Sequence, residues 1–392
     1  MPLSVALKNY LVVTAGYWAF TLTDGAIRML VVLYFHQLGY SPFEVAMLFL
    51  FYEFFGIVTN LVGGWMAARL GLNVTMHIGM ALQILALLML TVPDQYLSVA
   101  YVMLAQALSG IAKDLNKMSA KASVKTITQG GDSQLFKWVA ILTGSKNTLK
   151  GVGFFLGAFL LQIVGFRSTL LILAGGLLGV FATTVILLPK ELGKAKNKPK
   201  FSQVFSKKPA INWLSAARFF LFGARDVWFV VALPVFLYEV LHWEFMAVGA
   251  FMAAWVIAYG MVQAFSPMIL RGHHPKGITA FWLALVLAFV PMGIAVALQL
   301  QVNPAWVVTL GLIIFGILFA MNSAVHSYLI LAYSDHDKVA MNVGFYYMSN
   351  AGGRLTGTVL SGLVYQTAGL TGCLWISAFF VLAAALLAYK LP

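Results

Sequence analysis

Eleven charged residues stand inside apolar sequence, and their signs and spacing are the chemistry this chain offers. They are Asp24, Arg28, Glu53, Lys113, Asp114, Lys146, Lys150, Arg218, Arg225, Asp226 and Arg354. Each lies within a run of roughly twenty apolar residues, the length that crosses a bilayer as a helix. An ionised group facing lipid at mid-bilayer costs about 2.5–3.5 kcal/mol on the mildest scales. Seven such cations would cost on the order of 20 kcal/mol, more than a folded protein can spare. These groups are therefore expected to line a wet or protein-packed interior. Arginine offers bidentate contacts to phosphate-like oxygens and lysine adds a point charge. With seven cations against four acids, Arg28, Lys113, Lys146, Lys150, Arg218, Arg225 and Arg354 are the candidate binding residues for an anion carrying more than one charge. Asp24, Glu53, Asp114 and Asp226 are either proton-coupling groups or members of structural ion pairs; both readings stand for each.

Helix geometry limits the pairings. Asp24 and Arg28 are four apart and can bridge within one helix. Arg225 and Asp226, like Lys113 and Asp114, are adjacent, point about 100° apart, and are expected to need other partners. Lys146 and Lys150 share a face, which is repulsive without an anion near them. Lysines recur at 113, 117, 121 and 125. Lys113 and Lys117 are expected to guard the mouth of the interior, with Lys121 and Lys125 in solvent.

The elements that must position these groups follow from composition. The 392 residues are 61% hydrophobic and only 9% charged, against about 25% charged in a soluble domain. Long apolar runs indicate an all-α membrane protein, whereas barrel strands would alternate. Twelve spans are expected near 11–35, 43–66, 74–92, 96–117, 136–160, 168–188, 211–238, 246–270, 278–298, 305–331, 341–365 and 371–389. The first is too long for a cleaved leader and carries Asp24 and Arg28, so it is expected to be retained.

The net charge of +13 is not a nucleic-acid footprint, because it is sorted by side. Lys190, Lys194, Lys196, Lys198, Lys200, Lys207 and Lys208 crowd the longest loop. Lys8, Arg69, Lys121, Lys125, Arg271, Lys276, Lys338 and Lys390 fall on the same side, opposite Arg167, Glu44, Asp94 and Glu244. The positive-inside rule then places both termini of a multi-pass protein in the cytoplasm.

The basic stretch 189–210 is a solvated linker between an N-terminal six-helix bundle, 1–188, and a C-terminal one, 211–392. The halves repeat. SKNTLKGVGFFLGAFLLQIVG from Ser145 and SNAGGRLTGTVLSGLVYQTAG from Ser349 align Lys150 with Arg354, Gly153 with Gly357, Leu156 with Leu360, Gln162 with Gln366 and Gly165 with Gly369. Asp24 and Asp226 correspond in the same way. Two six-helix repeats are the architecture of the major facilitator superfamily, whose substrate site lies between the halves near the midplane. GGWMAARLGLNVT resembles a degraded form of that superfamily's signature: Gly64, Arg69 and Gly71 are present, while Ala68 and Leu72-Asn73 replace the acid and the basic pair. Spans three, six, nine and twelve carry no interior charge, as helices facing lipid should.

Other residues read more plainly. His36, His77 and His326 have no ligand spacing, so neither a metal nor another cofactor is expected. His273-His274 and Asp335-His336-Asp337 read as solvated loops. Cys373 alone makes no disulfide or thiolate site. No clustered nucleophile suggests an enzyme, and the two-repeat pattern argues against a channel. Asn322, Gln83 and Gln106 are expected to bond between helices. YWAF at 17–20 and FYEFF at 51–55 either pack the core or line the cavity, packing being the first reading.

YWAFTLTDGAIRMLVVLYFHQLGYSP, FYEFFGIVTNLVGGW, ALSGIAKDLNKMSAK and TGSKNTLKGVGFF together resemble the organoarsenical efflux permeases, the ArsJ family, most closely over residues 10–160. The resemblance implies export by alternating access of 1-arseno-3-phosphoglycerate, made by a glyceraldehyde-3-phosphate dehydrogenase and breaking down outside to arsenate and 3-phosphoglycerate. It implies arsenate resistance, a small anionic substrate, protons as the candidate coupling ion, and action as a monomer in the bilayer. An organophosphate/phosphate exchanger or a general organic-anion exporter is the alternative.

Overall fold

The computed structural model describes residues 5–39, 48–127, 132–189, 205–243, 245–270, 274–335 and 338–392. Glu44, Glu244, Arg271, His273, His336, Asp337 and the linker lysines 190, 194, 196, 198 and 200 lie outside the described residues, as do the side chains of His36 and Lys125.

Among the described residues the chain is helical and contains no strand. The helices are α1 (Val5–Gln37), α2 (Leu50–Leu70), α3 (Leu72–Met89), α4 (Val99–Ile127), α5 (Asp132–Val164), α6 (Phe166–Leu187), α7 (Pro209–Phe229), α8 (Ala232–Glu239), α9 (Phe245–Ile269), α10 (Gly277–Gln299), α11 (Pro304–Ala332) and α12 (Val339–Ala388). Each apolar run of the sequence is helical where described. Nine stretches are long and apolar enough to cross a membrane among the described residues; Pro209–Glu239 runs through α7 and α8, and Val339–Ala388 joins two expected spans in α12. α4 is not one of the nine and carries Lys113, Asp114, Lys117 and Lys121.

The repeat is visible in the backbone. α5 gives way to α6 at Gly165, with φ of 79°, and α12 breaks at Gly369, with φ of 60°. Side-chain-bearing residues rarely adopt this left-handed conformation, so each reversal falls on a glycine. α11 starts on Asn303, whose side chain accepts from the Ala305 and Trp306 amides, with Pro304 in the first turn. Asn at the cap and Pro just inside it are the residues that suit a helix start.

The chain divides into two compact units. The first comprises Met1–Gly131, Ser145–Phe205 and Ser334–Met348; the second comprises Asp132–Gly144, Ser206–Tyr333 and Ser349–Pro392. Packing therefore groups 132–144 and 334–348 differently from a partition by sequence order. In the first unit Gly344 lies against Gly64 and the Asn60 carbonyl of α2. In the second, Gly144 lies against Gly260 and Ala264 of α9, and Phe136 meets Tyr328 edge-on at 5.3 Å.

Each unit has its own apolar core. Ile27, Leu30, Phe35, Leu87, Leu90, Phe166 and Leu170 form one in the first unit, with Tyr34 stacked on Phe166 at 3.9 Å. Trp228, Trp255, Tyr259, Phe315 and Phe319 dominate the other, with Trp255 stacked on Tyr259. α6 and α10 expose large apolar side chains, including Leu171, Ile172, Ile186, Trp282, Val286 and Phe289. α5 does the same through Val152, Phe155, Phe159 and Ile163. Apolar exposure is thus not confined to the spans without interior charge.

Candidate functional site: two carboxylate-centred cation clusters

In the first unit the cluster is built where α1, α2, α4 and α5 pack. Its centre is Asp24, almost fully buried. The Tyr52 hydroxyl donates to Asp24 Oδ1 at 2.6 Å, and Lys150 Nζ lies 3.3 Å from Oδ2. The approach of α5 to α1 depends on Gly153: a methyl there would sit 2.6 Å from the Leu22 carbonyl oxygen. Trp18 Nε1 donates to Ser145 Oγ at 2.9 Å across the same two helices. One turn along α1, Arg28 Nη2 pairs with Glu53 Oε1 of α2 at 3.2 Å. On α4, Lys117 Nζ reaches Asp114 Oδ1 at 2.5 Å, while Lys113 is 3.9 Å from Oδ2. Lys117 also lies 4.4 Å from the centre of the Tyr347 ring. Lys146 is half-buried on α5.

In the second unit the centre is Asp226 of α7, with no exposed surface. Arg225 contacts Oδ1 through Nη2 at 2.5 Å and Nε at 2.6 Å. Arg354 Nε of α12 takes Oδ2 at 3.0 Å. Gly357 permits this crossing, since a methyl there would lie 2.6 Å from the Gly223 carbonyl oxygen and 3.0 Å from Asp226 Cβ. Arg218, two turns earlier on α7 and buried, donates from Nε to Asn350 Oδ1 at 2.9 Å and from Nη1 to Ser323 Oγ at 3.1 Å. Its guanidinium stands 3.8 Å from the centre of the Phe222 ring. Gln263 Nε2 donates to the Tyr259 hydroxyl nearby on α9.

Four expectations are corrected. Asp24 and Arg28 each pair with another helix: Lys150 of α5 and Tyr52 of α2 meet Asp24, and Glu53 of α2 meets Arg28. Adjacent Arg225 and Asp226 do pair, the long guanidinium stem folding back onto a carboxylate that burial leaves without water. Lys121 is not in solvent but 3% exposed, because α4 packs on α2 and α3 along this length. Asn322 makes no bond to another helix: both its amide atoms are buried without a protein partner, as are both ring nitrogens of His326 one turn on. Gln83, by contrast, accepts from Ser109 at 2.8 Å between α3 and α4.

The expectation of individually unneutralised cations also changes. Arg28, Lys113, Lys117, Lys150, Arg225 and Arg354 each lie within ion-pair distance of a carboxylate. The excess belongs to each cluster instead. Lys113 and Lys117 share Asp114, Lys150 pairs with Asp24 and Arg28 with Glu53, with Lys146 one turn before Lys150 on α5; Arg225 and Arg354 share Asp226, with Arg218 two turns earlier on α7. Among these named groups, each unit carries two more positive than negative charges.

Sequence reasoning missed Ser323, Asn350, Tyr347 and Phe222, and left Tyr52 and Trp18 between core packing and the cavity. Polar and aromatic residues in an apolar run look like packing until a partner helix reveals a charge beside them. Among the described residues no group of three or more His, Cys, Asp or Glu is placed to hold a metal ion.

The family described as Major Facilitator Superfamily matches residues 13–330. No curated protein matches the chain by sequence. Several solved structures share its fold. A human organic anion transporter, MFSD10 (TETRAN), is 17% identical with a TM-score of 0.78, covering 99% of this chain and 100% of that one. A bacterial homologue of the iron transporter ferroportin, in its outward-facing state, is 15% identical with a TM-score of 0.75, covering 97% and 98%. The proton:xylose symporter XylE is 14% identical with a TM-score of 0.75, covering 99% and 96%. At such identities these likenesses establish the fold alone.

Proposed function

The chain belongs to the Major Facilitator Superfamily, a multi-pass membrane protein of transporter fold, and from that premise we propose that it exports a small organic oxyanion with more than one acidic group. The observation that carries the reading is the excess positive charge in each unit's cluster. Carboxylates shared among more numerous cations hold them in place without cancelling them, which leaves charge for a ligand to complete. Arg218 and Arg354 provide the planar donor set that suits phosphate-like oxygens.

The cargo that fits best is 1-arseno-3-phosphoglycerate, to which the resemblance of residues 10–160 to the organoarsenical efflux permeases points. It carries a phosphate and an arsenate group, the oxyanions that arginine and lysine side chains take. On this reading the protein works by alternating access in a bacterial inner membrane, termini in the cytoplasm, as a monomer. A glyceraldehyde-3-phosphate dehydrogenase supplies its cargo, and its action confers arsenate resistance. Asp24, Glu53 and Asp226 are the groups that would exchange protons for cargo, since a carboxylate released by its cation takes up a proton more readily.

The test is arsenate resistance in a sensitive host given the dehydrogenase with and without this chain, together with export into everted vesicles. Resistance only when both are present supports the reading; resistance from neither, with labelled phosphate exchanging freely, would replace it with an organophosphate/phosphate exchanger. Export that ignores an uncoupler removes the proton-coupled form.

A further inference from the structure

We propose that Tyr52 is the positioning residue of the first unit's anion site, its ring seating the charged end of Lys113 beside the Arg28–Glu53 pair without adding a negative charge. The inference rests on the oxyanion reading above and adds to it the device that keeps the cations available.

Lys113 Nζ stands 3.8 Å from the centre of the Tyr52 ring, and Arg28 Cζ stands 4.7 Å from it. Both are within the range of a cation–π contact. The carboxylate near Lys113 is already engaged: Lys117 holds Asp114 at 2.5 Å, leaving Lys113 at 3.9 Å. Lys113 therefore stands between the ring and a carboxylate that another lysine holds more closely. A ring quadrupole attracts a cation but carries no formal charge to cancel it. A carboxylate in the same place would hold Lys113 as well and remove the charge an oxyanion needs.

The ring is fixed from two sides. Its hydroxyl donates to Asp24, which also holds Lys150. Its backbone is clamped by the crossing of α2 and α4, where a methyl on Gly110 would lie 2.6 Å from the Tyr52 carbonyl oxygen. Lys113 follows Gly110 by one turn, so this crossing delivers it to the ring. Tyr52 thereby links α1, α4 and α5 through one side chain.

In the second unit a ring also faces two cations, one of which, Arg225, already pairs with Asp226. Phe222 carries Arg218 at 3.8 Å and Arg225 at 5.0 Å from its ring centre. Phe222 has no hydroxyl, so the ring is the shared feature.

The experiment uses the full chain in liposomes, as wild type, Tyr52→Leu and Tyr52→Phe. Lys113 is labelled with a water-soluble acylating reagent and read by peptide mass spectrometry, and uptake of 3-phosphoglycerate and of inorganic phosphate is followed against concentration. Tyr52→Leu is expected to raise Lys113 labelling several-fold and the half-saturating anion concentration about tenfold, with the maximal rate changed less than about twofold. Tyr52→Phe, which keeps the ring, is expected to restore both towards wild type. Labelling and half-saturation unchanged in Tyr52→Leu, or Tyr52→Phe behaving as Tyr52→Leu, would overturn the proposal. Labelling needs no cargo, so wild-type protein that carries neither anion would count against the oxyanion reading while the labelling still decides the role of Tyr52.

Discussion

Asp24 and Lys150 meet at 3.3 Å between α1 and α5, and the same bond recurs at 3.0 Å between Asp226 of α7 and Arg354 of α12. In both places a glycine three residues after the basic one, Gly153 or Gly357, lets the helices touch. The repeat thus conserves an ion pair together with the crossing that makes it.

Losing the basic partner should separate transport from folding. Lys150→Ala takes the ion-pair partner from the buried Asp24 and is expected to destabilise by about 3–5 kcal/mol. Adding Asp24→Asn should restore thermal stability in detergent but not arsenate resistance. Arg354→Ala should be milder, since Asp226 keeps Arg225, yet should also abolish resistance at normal membrane abundance. Wild-type resistance in both single variants would refute the site.

Asp226 serves two arginines and Asp24 one lysine. Asp226→Asn should therefore lower the unfolding temperature more than Asp24→Asn, because it leaves two half-buried cations without their shared carboxylate. Equal shifts in thermal unfolding would contradict the shared-carboxylate arrangement.

The glycine crossings should not accept even one methyl. Gly153→Ala and Gly357→Ala would place a carbon 2.6 Å from a backbone oxygen, so both should reduce membrane abundance and destabilise by about 1–3 kcal/mol. Gly362→Ala, with nothing within 4 Å of the new carbon, should behave as wild type in the same assays.

Arg218 bonds through both Nε and Nη1, to Asn350 and Ser323. Lysine has one ammonium and cannot reproduce this fork. Arg218→Lys should keep the protein folded but raise the half-saturating anion concentration about tenfold or more, measured by uptake in liposomes. Unchanged uptake would place Arg218 outside the site.

Much of the architecture was legible in the sequence because hydrophobic burial and helix formation are local. Each apolar run is a helix where described, and the glycines at 165 and 369 that mark corresponding positions in the repeat both have left-handed backbones. The interior charges were legible for the same reason: a charge in an apolar run stands out without any partner. Their pairings were not. Asp24 is four residues from Arg28 yet pairs with Lys150, and Arg28 pairs with Glu53.

What the sequence determined by itself was an inventory: helical spans, a repeat, and more buried cations than acids. Only the tertiary structure decided which carboxylate each cation meets, that Lys121 is covered, and that Tyr52 and Phe222 are seats for charge. The reason is one of range. Helix propensity and apolar burial act along a few consecutive turns, whereas an ion pair or a cation–π contact forms only within a few ångströms of a side chain on another helix, and chain order does not encode that distance.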